Sequence, residues 1–222
     1  MNLTKTDNPV KTLIILLNMG GPQNKEEIHP YLKELFQDRE LLKLPFQKIL
    51  GRLIAWRRTP KIQERYEEIG QYSPTKAIME SQSVEIAKKL DQVHPESAPH
   101  VCVSGFRYIS PRPGEMIKKY QQAEKIILFS QYPQHSCCTS GSSFCDAYRW
   151  LDKKQNAGYQ HKISVIDQWW DRADYTKLWA MLIRKKFEEM KEKHDLKDGD
   201  IRIIYSAHSL PESYCLEKGD KY

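Results

Sequence analysis

Five short apolar runs, alternating with segments of helical period, constrain the fold of this chain more than any other feature. The runs are Thr12–Leu17, Val101–Gly105, Lys125–Phe129, Lys162–Ile166 and Ile201–Tyr205. Each is rich in Ile, Val or Leu and short, so each predicts a buried strand. Glu26–Phe36 places Ile28, Tyr31, Leu32, Leu35 and Phe36 on one helical face. Ala77–Val93 keeps the same period through Ile78, Met79, Ile86, Leu90 and Val93, and Tyr175–His194 through Leu178, Trp179, Leu182, Ile183, Phe187 and Met190. Asn24 and Glu27 read as a capping pair opening the first of these helices. Such alternation predicts an α/β fold, a doubly wound parallel sheet. The polar stretch Lys193–Asp200, broken by Gly199, reads as a link. The expected organisation is one domain over residues 11–195, then the first strand and loop of a second, similar unit over residues 200–222. A lone strand and loop cannot bury enough apolar surface to stand alone, so they must pair with something else.

Composition excludes several function classes. A net charge of +6 in 222 residues is moderate, and basic residues such as Lys185, Lys186, Lys191 and Lys193 alternate with Glu188, Glu189 and Glu192. That is a solvated helix face, not a nucleic-acid patch, although mild basicity suits anionic small molecules or lipid headgroups. The five cysteines, Cys102, Cys137, Cys138, Cys145 and Cys215, contain no CxxC, so neither a disulfide framework nor a self-contained zinc site is expected. The longest apolar run, Leu13–Leu17, is too short to span a bilayer. Met1–Val10 reads as neither a secretory signal nor a transit peptide.

The chemistry-bearing residues gather where the predicted strands end. In open α/β sheets ligands bind at the carboxyl ends of strands. The first strand runs into Leu17-Asn18-Met19-Gly20-Gly21-Pro22, which lacks both GxGxxG and GKS/T. A soft, apolar Met19 fits a flat hydrophobic ligand better than a phosphate. Arg57-Arg58 offers planar forks for carboxylates, and Tyr66 and Ser73 offer hydroxyls. Gly105-Phe106-Arg107-Tyr108, Gln131–Thr139 and Asp167-Gln168-Trp169-Trp170 end the next three strands. Ser206-Ala207-His208-Ser209-Leu210-Pro211 ends the fifth, and an imidazole titrating near pH ~6.5 suits proton transfer there. A loop-bonded structural His208 is the equal alternative. The stretch Leu41–Trp56 is unusually apolar for a connection and is either core or an exposed lip. Jointly these residues suit a cleft for a flat, aromatic, anionic ligand.

The ordered motifs LNMGGP, RRTPKIQ with Tyr66 and Ser73-Pro74, GFRY, QYPQ followed by TSGSS, Asp167 with Trp169, and SAHSLP closely resemble the ferrochelatase family. The resemblance runs from about Leu13 to Tyr222, corresponds to the first two-thirds or so of a family member, and implies that the sheet is Rossmann-like (chelatase-type), one of two similar halves. It implies an enzyme inserting Fe2+ into protoporphyrin IX in the last step of haem biosynthesis, with this chain expected to have little activity alone. The alternative is a non-catalytic porphyrin- or haem-binding protein. By matching motifs, Met19 and Trp169 lie against the macrocycle, Arg58, Tyr66 and Ser73 serve the propionates, Arg107 and Tyr108 line the route to the metal, and His208 is the base. Cys137 matches the first thiolate of a [2Fe–2S] cluster, whose three later ligands would lie further along a longer chain. The resemblance also implies peripheral membrane contact through Leu41–Trp56, a homodimer at full length, and the matrix side of the mitochondrial inner membrane. Trp170-Asp171-Arg172 stands where the family usually offers a His pair.

Overall fold

The computed structural model describes residues 10–70, 72–210, 212–218 and 220. Four of the five expected strands form: β1 (Thr12–Asn18), β2 (His100–Phe106), β3 (Lys125–Ser130) and β4 (Ile163–Ile166). They make one all-parallel sheet in the order β2-β1-β3-β4. A parallel pair needs a long crossover connection, which the helical segments supply. These are α1 (Lys25–Phe36), α2 (Gln47–Glu68), α3 (Thr75–Val93), α4 (Pro113–Lys119), α5 (Ser142–Leu151), α6 (Ala173–His194) and α7 (Glu212–Lys218). The architecture is therefore the expected α/β one.

β1 shows why. Its side chains alternate across the sheet, so Leu13, Ile15 and Leu17 face Met116, Ile117, Phe144, Ala147 and Leu151 of α4 and α5. Ile14 and Leu16 face the other way, onto Met79, Ile86, Ala87 and Leu90 of α3. A central strand covered on both faces must be apolar at every position, and Leu13–Leu17 is. The predicted cap of α1 is present: Glu27 N–H donates to Asn24 Oδ1 at 3.0 Å. The Glu27 carboxylate accepts from Gln23 N–H at 2.9 Å and from the cap residue's side-chain amide, Asn24 Nδ2, at 3.3 Å.

The sequence reading treats Leu41–Trp56 as a connection, but its second half is helical. Within α2, Gly51 and Ala55 turn inward, and Ala55 packs with Ile28 and Leu32 of α1. A Cβ on Gly51 would stand 2.7 Å from the Phe36 carbonyl oxygen, so only glycine lets α2 approach the end of α1. Phe46, Ile49, Leu53 and Trp56 turn outward, with Phe46 81% exposed. The alternative of core or lip is thus resolved by helical period: one face is core, the other exposed.

One expectation fails toward the C-terminal end. Ile201–Tyr205 does not form a strand; its backbone is irregular and Ile204 is 89% exposed. β4 closes the sheet among the described residues, so this run has no ladder partner, and unpaired backbone gains nothing by extending. The helical period of Tyr175–His194 does give α6, but α6 buries no residue, and Leu178, Trp179 and Leu182 are about half exposed. No helix among the described residues is long and apolar enough to cross a membrane.

Candidate functional site

Because all strands are parallel and nearly in register, their carboxyl ends form one edge. Asn18 pairs with Phe106, Leu17 with Ser130, and Phe129 with Ile166. The motifs that follow β1 to β4 are thereby brought together.

The loop after β1 is held by every neighbour. Gly20 takes a left-handed φ of 78°, and its N–H donates to Asn18 Oδ1 at 3.0 Å. A Cβ there would meet Ile109 at 2.6 Å, so the turn is restricted to glycine twice over. Tyr108 N–H donates to the Met19 carbonyl at 3.1 Å, and Met19 N–H donates to Tyr132 Oη at 3.0 Å. With its backbone saturated, Met19 keeps a half-buried side chain on the edge. Ser73 packs beneath this loop: its N–H donates to the Pro22 carbonyl at 3.0 Å, and its Oγ donates to Thr75 Oγ1 at 3.0 Å.

Tyr66 stacks on Tyr72 at 5.6 Å and lines an apolar cavity of about 370 Å³ with Pro22, Tyr31, Leu32, Ile62 and Ile69. Burial raises the Tyr66 phenol above its ordinary range. Arg58 is exposed, its guanidinium 5.7 Å from the Phe36 ring centroid. It borders a groove of about 600 Å³ with Arg57, Lys61 and Arg65, a cationic wall suited to carboxylates. On the far side, Trp169 donates from Nε1 to the Ser130 carbonyl at 2.9 Å, and its ring lies 4.9 Å from Tyr175 and 6.0 Å from Phe129. These aromatics line a second apolar cavity of about 510 Å³.

Arg107 and Tyr108 are placed differently from an open channel lining. Both are buried, and both point into Asp38, which is 2% exposed. Arg107 Nη2 lies 3.1 Å from Asp38 Oδ2 and Arg107 Nη1 lies 3.4 Å from Asp146 Oδ1. Tyr108 Oη donates to Asp38 at 2.8 Å, and Ser142 Oγ donates to it as well. Burial alone would raise the Asp38 carboxyl, but the bonds from Ser142, Arg107, the Glu40 N–H and Tyr108 outweigh it and hold the group below the usual carboxylate range. Asp146 goes the other way: burial outweighs Arg107, Arg112 and Arg149 and raises it. Tyr108 still reaches a cavity of about 350 Å³ with Tyr31, Ile109 and Arg112.

Cys137 is half-buried and opens a π-helical turn, Cys137–Gly141, that leads into α5. Among the described residues no group of three or more His, Cys, Asp and Glu stands close enough to hold a metal. A [2Fe–2S] cluster needs four ligands. The described residues therefore do not by themselves fit one. His208 is exposed, and no hydrogen bond or ion pair joins it to the other candidates among the described residues. Met19, Ser73, Arg107 and Tyr108 are thus brought to one loop cluster, Trp169 to its flank and Arg58 and Tyr66 to α2. His208 is not joined to them.

The sequence reading missed Asp38, Tyr132, Ser142 and Asp146. Tyr132 stood within a noted motif. Asp38 is a single acidic residue after a helix, and nothing local distinguishes it from a solvated one.

A model of the ferrochelatase family matches residues 11–222. The chain is 39% identical to "Ferrochelatase, mitochondrial" of Dictyostelium discoideum, covering 96% of this chain and 53% of that protein. The same-named proteins of Xenopus laevis and Homo sapiens are 42% and 40% identical, each over 96% of this chain and over 51% and 49% of their own lengths. The chain spans about half the length of these curated relatives, less than the two-thirds expected. A match over nearly all of this sequence, together with a parallel sheet that brings most of the matching motifs to one edge, establishes that the chain belongs to the ferrochelatase family.

Proposed function

We propose that this chain supplies one wall of a ferrochelatase site, where Fe2+ is inserted into protoporphyrin IX to give protohaem. The observation that carries this reading is Met19, an apolar side chain on the sheet edge whose backbone is fixed by Tyr132 and Tyr108. A rigid apolar wall can press on a macrocycle, using binding energy from the propionates to bend it toward the metallated shape. Arg58, Tyr66 and Ser73 would receive the propionates, Trp169 would flank the ring, and Arg107 and Tyr108 would back the metal side through their hold on Asp38. His208 would accept pyrrole protons once its segment stands beside the other site residues. Residues 11–195 are read as one domain and residues 200–222 as the start of a second that closes the cleft. A non-catalytic porphyrin-binding protein is the second reading, favoured by the exposure of His208.

Cellular setting follows the same reading. The relatives' names support a mitochondrial location, and the inner membrane's matrix side is the finer proposal. The outward face of α2, with Phe46, Ile49, Leu53 and Trp56 exposed, would dip into the bilayer, since exposed apolar side chains beside cations suit an anionic interface. At the relatives' full length we expect a homodimer and a [2Fe–2S] cluster with Cys137 as one ligand; no step above depends on that cluster.

The test is metal insertion followed by porphyrin absorbance, on this chain and on a version extended to the relatives' length. The extended protein should turn over, and His208→Ala should abolish turnover while retaining porphyrin binding. Loss of binding with turnover number intact would make His208 structural. Turnover by the 222-residue chain at the extended protein's rate would refute the one-wall reading.

A further inference from the structure

A second cluster of chemistry-bearing side chains lies at the other end of the sheet, where α3 hands over to β2. The chain leaves α3, makes a 3-10 turn at Pro95–Ser97 and enters β2 at His100. That path folds Asp91, Ser97 and His100 onto one another. Asp91 Oδ1 accepts from His100 N–H at 2.9 Å and lies 2.7 Å from His100 Nδ1. The backbone N–H and then the ring of His100 outweigh desolvation and hold the Asp91 carboxyl below the usual carboxylate range. An ionised carboxylate can only accept, so Nδ1 carries the ring proton. In the neutral ring Nε2 is then an acceptor, and it stands 3.0 Å from Ser97 Oγ.

The Ser97 hydroxyl proton has two acceptors, Nε2 and the His94 carbonyl at 3.2 Å. Around it, Thr12 Oγ1 donates to the Ser97 carbonyl at 3.0 Å and Lys11 Nζ to the Glu96 carbonyl at 2.5 Å. His94 and Glu96 pair with each other at 3.3 Å on the exposed side. Asp91 is exposed, Ser97 half-buried and His100 buried. Carboxylate, imidazole and hydroxyl in hydrogen-bonded series is the arrangement that activates a serine: the ring takes the proton and the carboxylate orients the ring. None of the three belongs to the porphyrin site. The length of β2, about 20 Å, separates His100 from Phe106 and the loop cluster beyond it.

We propose that Ser97 is an activated nucleophile that accepts an acyl group from small activated esters, with His100 as its base and Asp91 as the positioning residue. Ser97 Oγ attacks the ester carbonyl, a new C–O bond forms, and the bond to the leaving phenoxide or alkoxide breaks. The proton passes from Oγ to His100 Nε2 and then to the leaving group, and no atom changes oxidation state. The Lys11 ammonium, held on the adjoining carbonyl, supplies positive charge near the developing oxyanion. The N–H groups of Ser97 and Ala98 are engaged by the His94 and Pro95 carbonyls at 3.1 and 3.3 Å. They give the oxyanion no free donor, so the step is one acylation and not rapid turnover.

The test is incubation of the 222-residue chain with p-nitrophenyl acetate, read by nitrophenolate absorbance, intact mass and peptide mapping. The expected result is an acetyl group on Ser97 that hydroxylamine removes, since hydroxylamine cleaves the ester and spares lysine amides. Ser97→Ala should lose it. Asp91→Asn should slow its formation about 100-fold or more, and Asp91→Glu, which restores a carboxylate, should recover part of the rate. Circular dichroism checks the fold of each variant, and mapping of the unmutated chain locates the acetyl without any substitution. Acetyl found only on lysines or on another hydroxyl, or Ser97 acetylated as fast in Asp91→Asn as in the unmutated chain, would overturn the proposal.

Discussion

β1 and α6 both carry an apolar pattern and meet opposite fates. Leu13, Ile15, Leu16 and Leu17 of β1 have no exposed surface at all, whereas α6 buries no residue. The difference is coverage. β1 lies between two other strands and under helices on both faces, while α6 follows β4, the last strand of the order. An apolar stripe states what a segment can bury, and a neighbour decides whether it does. The chain spans about half the length of its curated relatives, and its exposed apolar side chains lie on α6 and at Ile203, Ile204 and Tyr205 as well as on the outward face of α2.

The comparison is broken hardest at Asp38, which ties the α1–α2 connection to the end of β2. Asp38→Ala removes the acceptor that buried Arg107 and Tyr108 share, leaving Arg107 to Asp146 and Ser142, and should cost about 3–5 kcal/mol in urea unfolding. Asp38→Asn keeps the shape and isolates the charge. The folded Asp38 carboxyl lies below its unfolded value near pH ~3.9, so its contribution is present above that value and is lost as pH falls through the folded one. The gap between Asp38→Asn and the unmutated chain should therefore close below about pH 4. Asp146 has the reverse sign: its folded carboxyl is raised, so its contribution is full below the ordinary range and fades as pH rises. If the Asn variant keeps the same deficit at every pH, packing and not charge holds the cluster.

Leu16→Ala comes next. A fully buried leucine on a central strand should cost about 2–5 kcal/mol, measured by the same unfolding experiment. A loss under about 1 kcal/mol would mean that the face toward α3 collapses onto the cavity.

The smallest expected effect sharpens the contrast. Leu182→Ala, at a half-exposed site on α6, should change the stability of this chain by no more than about 0.5 kcal/mol. In a chain extended to the relatives' length the same substitution should cost several times more, if that length covers α6. Equal small losses in both would show that the stripe faces solvent throughout.

The sequence by itself determined the strands β1 to β4, three of the long helices and the cap of α1, because hydrophobic period and capping chemistry act within a few residues. It also placed Met19, Arg107, Tyr108 and Trp169 at or beside strand ends, since parallel strands share one functional edge, whereas Ser73 reached that edge only through the fold. Only the tertiary structure decided what those side chains do there. It turned Arg107 and Tyr108 inward to Asp38, 69 and 70 positions earlier in the numbering, and it set Tyr132 under the Met19 backbone. It left Ile201–Tyr205 unpaired, because a strand exists only through hydrogen bonds to a neighbour and that neighbour is a matter of topology, not of the run itself. Buried ion pairs share the same reason: their cost and their gain are both set by groups distant in sequence, so a lone acidic residue such as Asp38 looks solvated until the fold surrounds it.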